Sequence, residues 1–360
     1  MQILWLNHRD LRHPRGAGAE RTIFEVGRRL AERGHRVRWV SSAWPGAPVH
    51  DSLAGIEVSR YAGPLLPHAA GALLLRSARP PDVVVDDLAH VVPWCSPWWA
   101  ATPTVVFFRH LHARTLPGQV RGPLAAVLTR VERSYSRLYR RAPFVTESQQ
   151  SQTDLEALGI ASDRCWRIPP GVDSQVLRPG TLDAIPSFVF FAGLRPYKRP
   201  EDAVRAFALY RRSGLPGTLS VVGAGPSLER VRELTRTEQL DTDVRFMGRM
   251  SAEALAELLS HAWVNINCSV AEGWGYSTLE AASCGVPTVA YDVPGVRETV
   301  LEGKTGVLVP DGDVAQLASG LRLLTESRPT WTARCRGYAE SFSWEECASR
   351  WEEVLTRAAA

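Results

Sequence analysis

The chain has 360 residues, 45 % of them hydrophobic, which exceeds the needs of one ordinary α/β core and fits two domains. A net charge of +4 gives no reason to expect nucleic acid as a partner and does not favour a membrane surface. No run of about 18 uncharged apolar residues occurs, so no spanning helix is expected. The six cysteines (Cys95, Cys165, Cys268, Cys284, Cys335, Cys347) lie far apart with no C-x-x-C pair. That argues against a zinc site or a disulfide framework and for reduced thiols in a cytoplasmic protein. The basic residues are nearly all arginine; Lys198 and Lys304 are the two lysines, so a lysine inside a motif stands out.

The first residues turn polar at Asn7, too soon for a secretory leader, and read as a buried strand over 3–7. A loop with Gly16 and Gly18 follows. A helical pattern on Ile23, Val26, Gly27 and Leu30 then closes at Gly34, and a second strand covers 37–41. The spacing of Gly16 and Gly18 falls short of G-x-G-x-x-G, so a nicotinamide cofactor is not indicated. Strands are expected at 83–85 and 104–108, as continuous β-branched runs suited to a parallel sheet covered on both faces. Asp86-Asp87 follows the first of these and reads as a polar strand end rather than a metal site. Arg109-His-Leu-His112 follows the second. Arg130, Arg133, Arg137, Arg140 and Arg141 fall near one helical face, which reads as solvated rather than lipid-bound.

Residues 168–173, running on to Pro179-Gly180, read as the linker. Beyond it, strands are expected at 188–192, 219–223, 244–247, 263–267 and 288–291. Helices are expected at 203–210, 227–237, 252–259 and 278–284, with a terminal amphipathic helix at 344–355. The alternation implies two doubly wound α/β sheets, with ligands beyond the carboxyl ends of the strands.

In the second half, three segments after strands carry candidate chemistry, beside the Gly16 and Gly18 loop and Arg109-His-Leu-His112 of the first. In Ala271-Glu-Gly-Trp-Gly-Tyr-Ser-Thr-Leu-Glu280, Gly273 and Gly275 let a ligand approach the backbone, and the amides opening the helix at 276–278 can hold a diphosphate. Glu272 and Glu280 are bidentate acceptors suited to vicinal diols. In Gly193-Leu-Arg-Pro-Tyr-Lys-Arg-Pro200, Arg195 and Lys198 can neutralise a departing diphosphate. Gly223-Ala-Gly-Pro226 is a weaker signal that reads as a tight turn.

In order along the chain, these motifs resemble the retaining glycosyltransferases of family 4, which have the GT-B fold. The strongest part runs from Phe246-Met-Gly248 through the E-x7-E element of Glu272 and Glu280 to Pro294-Gly-Val-Arg-Glu298 and Gly306-Val-Leu-Val309. Pro170-Gly-Val-Asp173 matches the family's interdomain segment. The resemblance implies two Rossmann-like domains facing across a cleft. An acceptor-binding domain would span 1–175 and a donor-binding domain 176–342, with a C-terminal helix at 343–360 packing back toward the first.

It also implies roles. Glu280 holds the donor ribose, and Glu272 the donor-sugar hydroxyls. Lys198, Arg195 and the amides of Gly273, Trp274, Gly275, Tyr276 and Ser277 hold the diphosphate. Arg249 and Met250 line the base pocket, Gly16 and Gly18 touch the donor, and His110 sits by the sugar and the acceptor. Three positions depart from the family pattern. Gly193 occupies the usual arginine slot, so Arg195 acts from a shifted position. Ala17 replaces a second glycine. Arg109 falls in the histidine slot, leaving His110 and His112 as alternatives.

The expected activity is retaining transfer of a hexose-type sugar, without metal or other cofactor, from a nucleotide-diphosphate sugar co-substrate to a sugar, cyclitol or other small hydroxyl acceptor. UDP is the first choice of carrier and GDP the second. The competing readings are a sugar-nucleotide epimerase of the same architecture, a peripheral-membrane lipid glycosyltransferase, and a non-catalytic nucleotide-sugar-binding module.

Overall fold

The computed structural model describes residues 1–14, 16, 18–63, 65–114, 116, 120 and 122–360. The chain divides into two compact units, Met1–Gly171 with Trp344–Ala360, and Val172–Ser343. No helix among the described residues is long and apolar enough to cross a membrane.

The first unit is built on β1 (Gln2–Leu6), β2 (Arg36–Ser42), β3 (His50–Leu53), β4 (Ile56–Tyr61), β5 (Val83–Leu88), β6 (Thr104–Phe108), β7 (Phe144–Thr146) and β8 (Cys165–Arg167). They lie in the order β3-β4-β2-β1-β5-β6-β7-β8. Every neighbouring pair is parallel except β3 with β4. Ile3, Leu4 and Trp5 of the central β1 are fully buried, as an apolar strand covered on both faces must be. The β3–β4 hairpin has no counterpart in the sequence reading. It turns on Ala54 and Gly55, both at positive φ, the conformation that matches a two-residue turn to strand twist.

The terminal helix Trp344–Ala359 is part of this unit. Its Trp351 is fully buried, with ring centroids 4.9 Å from Trp5 and 4.8 Å from Phe107. Arg33 donates to Glu352 at 2.6 Å and also pairs with Glu345, tying this helix to Gly18–Glu32 and the turn after it.

Asp86 and Asp87 are buried members of β5 and point to different partners. Asp87 pairs with Arg109 at 2.7 Å, and Arg109 also reaches Glu147 at 2.8 Å. Asp86 accepts from the Ser96 amide at 3.0 Å and the Tyr139 hydroxyl at 2.8 Å, without a cation. Burial pushes its carboxyl up to about 6 despite these bonds.

The second unit carries β9 (Ser187–Phe191), β10 (Thr218–Val222), β11 (Val244–Gly248), β12 (Val264–Asn267), β13 (Thr288–Tyr291) and β14 (Gly306–Val309). They lie in the order β11-β10-β9-β12-β13-β14, all parallel. Helices Pro200–Arg212, Leu228–Thr237, Ala252–His261, Tyr276–Ser283 and Val314–Glu326 alternate with the strands. Each unit is thus a doubly wound Rossmann-like layer. Each reverses strand order once, between β1 and β5 and between β9 and β12.

The raised carboxyl of Asp86 has a definite sign. Its folded pKa lies above the unfolded value, so it contributes fully below pH 3.8 and its contribution is lost as pH rises through about 6. Asp86→Asn does not titrate. As pH falls from 7 to 4, the wild type should therefore gain on the variant by up to about 3 kcal/mol in denaturant unfolding. A difference that stays constant over that range refutes an elevated carboxyl.

Candidate active site

In an open parallel sheet, adjacent strands whose connections leave in opposite directions hold a crevice open beyond their carboxyl ends. In the second unit these strands are β9 and β12, paired at Phe188 with Val264 and at Val189 with Asn265. After β9 the chain makes a short 3-10 turn, Pro196–Lys198. After β12 it runs through a loop into helix Tyr276–Ser283. The Val270 amide donates to the Tyr197 carbonyl at 2.8 Å, which joins the two segments.

Above that joint, Lys198 Nζ donates to Glu272 Oε1. Ser269 Oγ donates to the same oxygen at 2.7 Å. The two charged side chains are only 15 % and 16 % exposed, so each supplies the counter-charge that the other lacks from water. Burial and nearby Arg195 act against the ammonium, but Glu272 outweighs them and the Lys198 pKa is raised. At neutral pH Lys198 is therefore a fixed cation.

Two glycines make this geometry possible. Gly223 has φ +128°, and a Cβ there would lie 1.9 Å from the Ala192 carbonyl oxygen. The Leu194 amide donates to Ala224 O, and the Ser227 amide to Leu194 O, both at 3.0 Å. The Gly223-Ala-Gly-Pro226 turn is therefore a brace under the Arg195 and Lys198 loop. Gly295 has φ +80°, and a Cβ there would lie 2.1 Å from the Glu272 carbonyl oxygen. The Glu272 amide donates to Pro294 O at 3.0 Å, so Pro294-Gly295 braces the carboxylate's own backbone.

Gly275 is the N-cap of helix Tyr276–Ser283 and offers no side chain to it. Residues 276–278 thus form the first turn of the helix, at the positive end of its dipole. Asn267 Nδ2 donates to Ser277 Oγ at 3.4 Å, fastening the helix start to the end of β12. Trp274 is buried, its ring edge-on to Phe342 at 5.4 Å, so it presents backbone rather than indole. Glu280 lies one turn past Tyr276 and is half-buried. Arg195 is half-buried beside Lys198 and forms no ion pair among the described residues. Exposed Arg249 and half-buried Met250 follow β11.

The remaining candidates belong to the first unit. The Gly16 amide donates to His13 O at 2.8 Å, and Gly18 opens helix Gly18–Glu32. Ala17 lies outside the described residues. In the segment after β6, Arg109 is enclosed by Asp87 and Glu147 and is only 4 % exposed. His112 Nε2 sits 3.2 Å from Ala89 O, and its amide donates to Glu132 at 2.7 Å. His110 is half-buried and faces the His112 ring at 4.7 Å.

The crossover of this sheet carries residues that sequence reasoning missed. His8, just past β1, lies 4.7 Å from the His90 ring just past β5 and stacks on Trp94 at 4.7 Å. His68 stacks on the same indole at 4.2 Å. Burial, with help from His68 and Arg9, pushes the His8 imidazole down to about 4, so it is neutral at pH 7. Its Nε2 is buried with no hydrogen-bond partner among the described residues. No local signal marks this group, because only the pairing of β1 with β5 assembles it.

The family model described as Glycosyltransferase Family 4 matches residues 16–176, and the one described as Glycosyl transferases group 1 matches residues 183–341. The D-inositol 3-phosphate glycosyltransferase of Geodermatophilus obscurus is 31 % identical over 94 % of this chain and 84 % of its own length. A D-inositol 3-phosphate glycosyltransferase of Catenulispora acidiphila is 28 % identical over 91 % of this chain and 88 % of its own. Among solved structures, the sucrose-phosphate synthase of Thermosynechococcus elongatus superposes with a TM-score of 0.84 at 21 % identity, covering 99 % of this chain and 98 % of that one. Anabaena HepE in complex with UDP-glucose superposes at 0.80 with 18 % identity, covering 99 % and 100 %.

Since Lys198 and Glu272 neutralise each other in a half-buried setting, removing one strands the other. In unfolding measurements the Lys198→Ala and Glu272→Ala losses should not add. The double variant should resemble either single, with a coupling of about 0.5–3 kcal/mol. Strict additivity contradicts the pairing.

Proposed function

This chain belongs to the glycosyltransferases of family 4, with the GT-B fold, and from that premise we propose that it transfers a hexose-type sugar with retention of anomeric configuration. The donor is a nucleotide-diphosphate sugar, with UDP preferred over GDP. The acceptor is a sugar, cyclitol or other small hydroxyl compound. The observation that carries this reading is the Lys198–Glu272 pair beside the opening of helix Tyr276–Ser283. One place thus offers a cation, the positive end of a helix and a carboxylate, the three groups that a diphosphate joined to a sugar requires. The inositol-phosphate names of the relatives and the UDP-glucose bound to HepE support the choice of acceptor and donor.

The chemistry follows from where charge develops. As the bond from the anomeric carbon to the diphosphate lengthens, negative charge grows on the leaving oxygen. Lys198, Arg195 and the amides of residues 276–278 stabilise it from fixed positions. Glu272, drawn off Lys198 by the arriving diphosphate, turns to the sugar hydroxyls. Glu280 holds the ribose, and Arg249 with Met250 flank the base. The leaving phosphate takes the acceptor's proton, so no strong protein base is required. Lys198 and Arg195 take the role that a divalent cation plays elsewhere, so no metal is needed. In the first unit, His110 and the ring group of His8, His68 and His90 at the crossover of β1 and β5 receive the acceptor.

The two carboxylates should separate by what they touch. Losing charge-assisted bonds to the ribose costs about 1.5–3 kcal/mol, so Glu280→Ala should weaken UDP by roughly tenfold or more in isothermal titration. Glu272→Ala leaves Lys198 without its internal partner, so UDP affinity should hold or rise while sugar transfer collapses. Equal losses of UDP affinity in both variants would remove the division of roles.

Incubation with UDP-glucose and a panel of sugars and cyclitols in EDTA should yield product whose anomeric configuration by NMR matches the donor. Inverted product overturns the retaining assignment. Inactivity in EDTA, restored by magnesium or manganese, overturns metal independence.

A further inference from the structure

The first unit contains a recess of about 930 Å³ at the amino ends of β6, β7 and β8, the edge opposite the crossover histidines. Its floor is made by residues that enter those strands: Pro103 before β6, Ala142 and Pro143 before β7, and Arg164 before β8. Five arginines line it: Arg137, Arg140, Arg141, Arg164 and Arg357. None of them forms a salt bridge among the described residues, and Asp163 is the one acidic residue in the lining. Elsewhere among the described residues many arginines pair with carboxylates, as Arg29, Arg33, Arg60, Arg109 and Arg211 do. Five guanidinium groups around one concavity repel each other and leave donor groups to water. An anion entering there is attracted by all five.

Two of the five are held in place. Arg164 Nη1 donates to Tyr139 O at 3.0 Å and Arg140 O at 2.6 Å, which fixes its plane. The Arg357 guanidinium lies 5.6 Å from the centre of the Trp166 ring, which orients it and leaves its edges open. The wall adds apolar surface: Trp98 is 71 % exposed, and half-buried Trp166 also lines the space. A bare phosphate fills only a fraction of such a volume. The recess suits a ligand that combines a phosphate with a flat organic body.

We propose that this recess is a second binding site, distinct from the carboxyl-end chemistry, for an organic phosphate whose anionic group is held by the arginines and whose body stacks on Trp98 or Trp166. The chemistry is shared by a soluble phosphate ester and by a phospholipid headgroup, and the test separates them.

Phenyl phosphate, inorganic phosphate and phosphatidylglycerol vesicles serve as probes of the whole chain. They are compared with Arg140→Glu/Arg141→Glu, which alters only exposed residues, and with Trp98→Ala. In isothermal titration, phenyl phosphate should bind the wild type, with at least a tenfold loss in the double arginine variant. Trp98→Ala should weaken phenyl phosphate severalfold and leave inorganic phosphate unchanged. Lys198→Ala should keep the recess binding, and the double arginine variant should keep its affinity for UDP. Phenyl phosphate binding without vesicle pelleting assigns a soluble ester, and pelleting that the double arginine variant loses assigns a headgroup. The proposal is overturned if neither probe binds, or if the double arginine variant binds them as the wild type does. Because UDP binding is measured separately, failure here leaves the donor site standing, and failure of UDP binding leaves this recess standing.

Discussion

The second unit is arranged around one pairing of charges. Lys198 and Glu272 lie 74 residues apart in sequence and meet because β9 and β12 are neighbours in space. Neither tolerates its half-buried position alone, so the two loops carrying them are fixed together. Braces then accumulate around the pair: the Val270 amide on Tyr197, Pro294 on the Glu272 amide, and the Gly223 turn beneath Leu194. Each brace removes a side chain or adds a backbone bond where the pair requires it. The two loops are thus held by backbone bonds of their own, whatever their side chains bind.

The two sheets use one topological device for opposite chemistry. At the crossover of the second, charge is concentrated and compensated internally. At the crossover of the first, imidazoles are stacked on an indole, and burial removes charge from His8. The charges of that sheet lie deeper, in the enclosed cluster of Asp87, Arg109 and Glu147.

Much of this was legible in the sequence wherever the signal was local. Strands β6 and β13 coincide with their apolar runs because buried parallel strands need continuous hydrophobicity. The E-x7-E element could be read because its glycines, helix start and both carboxylates are contiguous. Other features gave no such signal. The polar edge strand His50–Leu53 resembles a loop until it pairs with β4. Helix Gln149–Ala157 has little apolar periodicity to announce it. Lys198 stood out by its rarity, yet its partnership with Glu272 could not be seen, nor could the grouping of His8, His68, His90 and Trp94. Those depend on which strands lie side by side. Arg109, which falls in the family's histidine slot, is a buried counter-ion for two carboxylates.

The terminal helix bears on how the protein is made. Trp351 completes the core under β1 and β6, between Trp5 and Phe107, yet it emerges from a ribosome after every residue of Val172–Ser343. Until then the first-synthesised unit carries an uncovered aromatic groove where that helix will lie, while the second-synthesised unit already has all its strands and helices. The half of the chain that is translated first is therefore the half that reaches its final packing last.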